Sequence, residues 1–538
     1  MNAHFKVATH LRAVSDSCRN SAMQHGSWTI KMVKFVSKDE TAEPRPNERD
    51  KLEEVDLGLG GREVKKQPYV LHEDAARDVC EDEFSVEQAV EAIGFGQFQV
   101  MLSLLTGFCW MADAMEMMIL SIIGPELKCK WNLTLIQEAS ITTVVFLGMF
   151  VSSTFWGQLC DKFGRRVGLI LTSLVVFYFG VLSGFAPSYA WLLIIRFLVG
   201  FGIGGAPQSV TLYAEYLPSK VRGICVIFIE IFWALGAVFE VTLALVIMPT
   251  LGWKYLLVLS SLPVLLFVTL CRWLPESARY YIASGQQKQA HDALKRVAVC
   301  NNKPMPLGIL KAEPVSSSRG SYKELFKTRE LSIVTILLLF IWFANAFSYY
   351  GVVLLSTELF AVGNTCIENT VDKLEPSCHE DCKTLSSADY VSLLWTTLAE
   401  FPGLFITIFI IEILGRKKTM AIEFFFFSCF TFLLILCTSR NVMTFFLFAA
   451  RGLISGAFQA AYVYTPEVYP TASRALGLGC CSAMARVGAV ITPFIAQVLI
   501  AHSPHIALGI YAVTGLLAAV ACMLLPIETK GRAMLVSN

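Results

Sequence analysis

Charge is scarce in this sequence. Only 16% of its 538 residues are Asp, Glu, Lys or Arg, where soluble chains carry roughly a quarter. Hydrophobic residues make up 55% and mean hydropathy is +0.56, which excludes an ordinary water-soluble fold. The formal net charge of +1 says nothing about partners, and no nucleic-acid partner is expected. Three motifs are also absent: a phosphate-binding Gly-x-x-x-x-Gly-Lys loop, His-Glu-x-x-His and Gly-x-Ser-x-Gly. ATP drive is therefore not expected, nor is enzymatic activity, a metal or an organic cofactor. The first 35 residues have no continuous apolar core, so no cleavable signal peptide is expected and the first span is expected to direct insertion.

Long apolar runs, by contrast, fill most of the chain. Residues 1–82 are polar, with mixed charges and scattered Pro and Gly, and read as a disordered tail. Ser85-x-x-Gln88 resembles a capping box before Val86, Val90 and Ile93, so a short amphipathic helix at the membrane face is expected there. Apolar runs of about twenty residues, the length that crosses the hydrocarbon core, then alternate with short polar breaks. They fall at 97–124, 140–159, 168–187, 190–213, 223–248 and 253–274, and again at 331–357, 389–412, 418–438, 442–464, 475–501 and 505–526. The expected class is an all-α membrane protein with twelve transmembrane helices in two pseudo-symmetric six-helix bundles. The bundles span 83–274 and 331–530, joined by a linker over 275–330 with a short helix near 286–298, and residues 531–538 form a short tail.

The few bases are unevenly placed. Lys162, Arg165, Arg166, Lys220, Arg222, Arg416, Lys417, Lys418, Arg474, Lys530 and Arg532 share one side, with the basic 275–330 linker. Lys128, Lys130, Lys373, Lys383 and Arg440 are the chief bases on the other. An excess of Lys and Arg marks the cytosolic face, so both termini are expected in the cytosol.

The stretch Gly157-Gln-Leu-Cys-Asp161-Lys-Phe-Gly164-Arg165-Arg166 has an echo in Glu412-Ile-Leu-Gly415-Arg416-Lys417, 251 residues on. Glu215, Pro218 and Arg222 recur as Glu467, Pro470 and Arg474, offset by 252, and Pro275-Glu276-Ser277 recurs near Pro526-Ile527-Glu528-Thr529. A repeat at one period describes two homologous halves with a substrate path between them, the plan of a secondary transporter.

These residues resemble the major facilitator superfamily. Gly157-x-x-x-Asp161-x-x-Gly164-Arg165-Arg166 fits its signature loop, and Ile408 and Glu412 depart from it in the second copy. Arg196 with Gly200 to Gly205, Tyr213-Ala214-Glu215, Arg222-Gly223 and Pro275-Glu276-Ser277-Ala278-Arg279 resemble the sugar and organic-ion porter branch. Within it, the runs 110–118, 345–351 and 465–471 resemble the synaptic-vesicle-two-related transporters, nearest their SVOP-like branch. The resemblance covers about residues 97–530. It implies a transporter without implying a firm substrate.

Charges at mid-membrane are costly and mark function by default. Asp113 and Glu116, three apart on the first span, share a helix face and are equipped to hold a proton or an organic cation. Arg486 on the eleventh span offers a fork for an anionic group, or a counter-charge to Asp113, Glu116 or Glu400. Glu400 precedes Pro402, which is expected to kink the eighth span. Glu230 and Glu240 flank Trp233 on the fifth, and the seventh carries Asn345, Tyr349 and other aromatics suited to a ring or a cation. The Gln-Gln pair that sugar porters carry in this position is missing, which weakens a sugar substrate. Gly157, Asp161, Gly164, Arg165, Arg166, Glu215, Arg222, Glu412, Arg416, Glu467 and Arg474 form an expected cytosolic latch, with Arg–carboxylate pairs across that face that break as the halves rock; topology signalling alone is the bland alternative.

Cys129, Cys366, Cys378 and Cys382 lie in loops on the expected non-cytosolic side, where disulfides persist. Three complete pairings are open, and His379 beside Cys378-x-x-x-Cys382 leaves a zinc reading as the weaker option. Asn132-Leu133-Thr134 fits a glycosylation acceptor set very close to a span. The expectation is a monomer in a lipid bilayer, of plasma membrane or vesicle, that moves a small organic ion, with or without protons, by alternating access. A non-transporting receptor or vesicle scaffold is the second reading.

Overall fold

The computed structural model describes residues 83–311, 322–362, 384–436 and 439–530. The expected tails, the 312–321 part of the linker and the loop with Cys366, Cys378 and Cys382 lie outside the described residues. Two compact units are present, Met1–Ile93 with Leu294–Lys311, and Gly94–Ala293 with Ala312–Asn538.

In the smaller unit, Glu83–Phe84 pairs in parallel with Ile309–Leu310. The helix Val86–Ile93 follows at once. Its capping box is formed: Gln88 N–H donates to Ser85 Oγ at 3.2 Å, and Ser85 N–H donates to Gln88 Oε1 at 2.8 Å. Val86, Ala89, Val90 and Ile93 are its buried residues, the spacing of one helical face.

The larger unit is built from membrane-length helices. Eleven among the described residues are long and apolar enough to cross a bilayer. In the first half these are Gln97–Trp131, Leu135–Phe163, Arg165–Ser183, Tyr189–Glu215, Ser219–Thr250 and Trp253–Trp273. In the second they are Arg329–Phe360, Ser387–Leu414, Arg440–Val468, Leu476–His502 and Pro504–Leu524. The helix Arg416–Leu433 stands where the ninth span is expected. It is only 18 residues long and carries Arg416, Lys417, Lys418 and Glu423, which dilute its apolar run.

Glycine sets which helices touch. A Cβ at Gly200 would lie 2.1 Å from the Val145 carbonyl oxygen, and one at Gly403 would lie 2.3 Å from that of Gly452. The second and fourth spans therefore meet backbone to backbone, and so do the eighth and tenth. Gly236 against Met111 and Gly488 against Phe343, 252 residues apart, repeat the device between first and fifth and between seventh and eleventh. Small residues allow this approach where lipid leaves no hydrophobic drive between helices. Across the halves, the second span packs on the eleventh, the fifth on the eighth and the first on the seventh. The eighth breaks at Ala399, next to Leu398, whose carbonyl the Pro402 ring excludes from the helix ladder. After Pro493 the eleventh runs on as a π-helical turn, Phe494–Leu499.

Candidate functional site

A cavity lies between the halves, lined by residues of both. The first half lines it with Trp110, Asp113, Phe146, Glu230 and Trp233, and the second with Tyr349, Tyr350, Phe458, Tyr462 and Arg486. Its walls are aromatic: Trp110 and Trp233 lie 5.2 Å apart by ring centre, and Phe146 and Tyr350 lie 4.7 Å apart.

The three charges behave differently. Trp110 Nε1 donates to Glu230 Oε2 at 3.0 Å. Arg486 Nη1 donates to Ser482 Oγ at 2.5 Å and to the Ser482 carbonyl at 3.1 Å, one turn back on its own helix. Its Nε is buried with no partner among the described residues, and the same is true of Asp113 Oδ2. An acid and a base with unspent hydrogen-bonding capacity thus face one space, and no ion pair links Arg486 to Asp113, Glu116 or Glu400.

Beside the cavity runs a chain that crosses the halves. Trp233 Nε1 donates to the Tyr349 hydroxyl at 2.7 Å, which donates to Glu400 Oε1 at 3.0 Å. Arg451 Nε donates to the same oxygen at 2.9 Å. Glu400 is therefore a buried partner of Arg451, and it reaches the cavity only through Tyr349.

Several expected site residues stand elsewhere. Glu116 does not act with Asp113. Three residues turn the helix far enough that Asp113 lines the cavity while Glu116 meets Arg196 of the fourth span, Nη1 to Oε2 at 3.1 Å, both fully buried. Glu240 accepts from Ser260 Oγ at 2.8 Å, away from the cavity. Asn345 is buried, with neither end of its amide partnered among the described residues, and does not line the cavity.

The expected latch is also corrected. The ion pairs of Arg165, to Asp161 at 2.9 Å and Glu215 at 3.7 Å, stay in the first half. Those of Arg416, to Glu412 at 3.5 Å and Glu467 at 3.1 Å, stay in the second. Arg166 donates to the Cys271 and Arg272 carbonyls, and Arg222 to that of Leu217. Gly164, at φ 101°, lets Glu276 cap the third span, accepting from Arg165 and Arg166 N–H at 2.8 and 3.2 Å. Gly415, at φ 90°, lets Glu528 do the same for Arg416 N–H at 3.0 Å. A Cβ on Gly157 would meet nothing, so no close contact depends on that glycine.

Cys129 is disulfide-bonded, with its partner outside the described residues. Asn132 ends the first span in a left-handed conformation, exposed, and Thr134 caps the second. Sequence reasoning passed over Arg451, and saw Arg196, Glu276 and Glu528 only as parts of motifs. A rule already in use, that mid-span charge marks function, flags both arginines.

A family model described as "Sugar (and other) transporter" matches residues 114–535. The chain belongs to that family. Within it, the chain is 54% identical to the synaptic vesicle 2-related protein of Xenopus laevis over 519 residues, 95% of this chain and 94% of that one. It is 37% identical to human SVOPL over 459 residues, 84% of this chain and 93% of that one. It is also 37% identical to the organic cation/carnitine transporter 7 of Arabidopsis thaliana, over 84% of this chain and 95% of that one. Among solved structures, the partially occluded inward-open xylose transporter XylE of E. coli aligns with a TM-score of 0.62 at 16% identity, covering 81% of this chain and 99% of that one. That likeness shows the major facilitator fold. As a family member the chain is a multi-pass membrane protein of secondary-transporter type.

Proposed function

We propose that the chain carries a small organic ion across the membrane by alternating access, with the cavity as its binding site. The observation behind this is the pair of opposite charges with unspent capacity, Asp113 Oδ2 and Arg486 Nε, facing one aromatic-walled space. Asp113 takes a proton or the positive group of the substrate. Arg486 takes an anionic group through its free Nε. Trp233, Tyr349 and Glu400 link the halves beside the site, so occupancy of the cavity is felt by both. An Arabidopsis relative named for organic cations and carnitine supports an organic ion over a sugar. The asymmetry of loop bases supports cytosolic termini, the relatives' name favours a vesicle membrane, and a monomer suffices because both halves of the site come from one chain.

Ligand that binds only the folded state raises the melting temperature. Purified protein is therefore melted with a panel of organic anions, cations and sugars at about pH 5.5 and about pH 7.5. A hit lost in Arg486→Ala and kept in Asp113→Asn marks an anion carrier, and the reverse marks a cation carrier. A sugar hit that survives both variants overturns the ionic reading. No hit at either pH favours a scaffold that kept the fold.

A further inference from the structure

A second group of buried charges joins the halves at the other end of the second span from Arg165. Glu138, in that span's first turn, is 1% exposed, and Glu358, near the end of the seventh, is 8% exposed. They come from opposite halves, and each carboxyl acts on the other. Two ionised carboxylates buried together repel, and neither can donate to the other. One proton shared between them turns that repulsion into a hydrogen bond.

The surroundings supply too little positive charge to replace that proton. Lys128 of the first span holds its Nζ 3.5 Å from Glu138 Oε2 and is the one base that faces the pair among the described residues. The eleventh span adds the neutral amide of Gln497, set in the π-helical turn and buried. A Cβ at Gly124 would lie 3.1 Å from Glu138 Oε1 and 3.3 Å from Gln497 Nε2, so the first, second and eleventh spans close on one point. Two buried carboxylates and one partly exposed ammonium leave a net negative charge at the junction. With both acids ionised, Glu138 Oε1 and Glu358 Oε1 also have no donor. A single proton removes both defects.

We infer that Glu138 and Glu358 form a proton-binding site that clasps the two halves, separate from the central cavity. When the pair shares a proton, this end is closed. When the halves part, both carboxyls enter water and the proton leaves. The closed state thus binds one proton more than the open state, so acid favours closure and alkali favours opening, by up to about tenfold in the closed-to-open ratio per pH unit. The inference rests on the alternating-access part of the proposed function, since it requires this end to open.

The test measures distance across the junction. Spin labels on non-cysteine amino acids, chosen because the chain has sixteen cysteines, replace Ile136 and Ile506, which are 61% and 57% exposed. Pulsed dipolar spectra are recorded in nanodiscs from about pH 5 to about pH 8.5. The expected result is a short distance in acid that yields to a longer one in alkali. Glu358→Gln, which donates to Glu138 without titrating, keeps the short distance at every pH. Glu138→Gln leaves Glu358 to pair with Lys128 and flattens the pH response as well. Two distances in a ratio that ignores pH overturn the proton site and leave alternating access standing, and so does a Glu358→Gln profile superimposable on wild type. One unchanging distance, in wild type and in Glu358→Lys alike, overturns both.

Discussion

Gly164 and Gly415 are held alike: each has a positive φ, and each lies against a glutamate that caps the helix beginning there, Glu276 in one half and Glu528 in the other. At mid-membrane the halves diverge. Arg196 of the fourth span takes Glu116 of the first, whereas Arg451 of the tenth takes Glu400 of the eighth and shares it with Tyr349. The repeat is kept at the loop motifs and at the glycine contacts, where it sets helix ends and helix packing. It is lost around the cavity, where the two halves make unlike contributions to one site. A transporter needs symmetry for its motion and asymmetry for its substrate, and this chain puts each in a different layer.

The largest effects break the central layer. Arg196→Ala leaves Glu116 buried without its ion-pair partner and is expected to cost about 3–5 kcal/mol, read as loss of folded protein in a detergent melt. Arg451→Ala is expected to cost less, because the Tyr349 hydroxyl still donates to Glu400. Pairing Arg196→Ala with Glu116→Gln restores part of the loss. Equal losses in the two single variants would mean the divergence has no energetic content.

Next come the loops. Gly164→Ala and Gly415→Ala force a side chain into the left-handed region, at about 1–2 kcal/mol each. Gly164→Ala is expected to be the worse, since its Cβ would stand 2.3 Å from Glu276 Oε2 while that of Gly415 stands 2.8 Å from Glu528 Cδ. Glu276→Ala and Glu528→Ala remove matched caps and are each expected to cost about 0.5–2 kcal/mol. A clear difference between these two would weaken the claim that the loops are conserved scaffold. The smallest effects are expected at Asp161→Asn and Glu412→Gln, whose side chains are 52% and 58% exposed. Exposed pairs of this kind are worth about 0.5 kcal/mol, so both variants should melt close to wild type.

Much of the fold was legible because its signals are one-dimensional. Apolar length marks a span, and a constant offset marks a repeat. The ninth helix was read from the apolar run 418–438, although Arg416, Lys417, Lys418 and Glu423 dilute it. The site was legible only in part. Asp113, Glu230, Tyr349 and Arg486 line the cavity. Glu116, Glu240 and Asn345 lie on helices that also line it and are turned away, and a few residues of helical rotation decide between the two outcomes. The latch pairs were read as crossing the halves because sequence shows which charges share a side of the membrane and not how far a side chain must reach.

From its sequence alone the chain is a membrane-embedded, internally duplicated helical protein. Water excludes so many apolar residues from any other arrangement, and two copies of a six-span unit carry their motifs at one spacing. Only the tertiary structure decides which buried charge meets which. The cost of burying a charge says that it must have a partner, and the partner is fixed by helix rotation and by contacts between residues such as Arg196 and Glu116, or Arg451 and Glu400, that lie far apart in the chain.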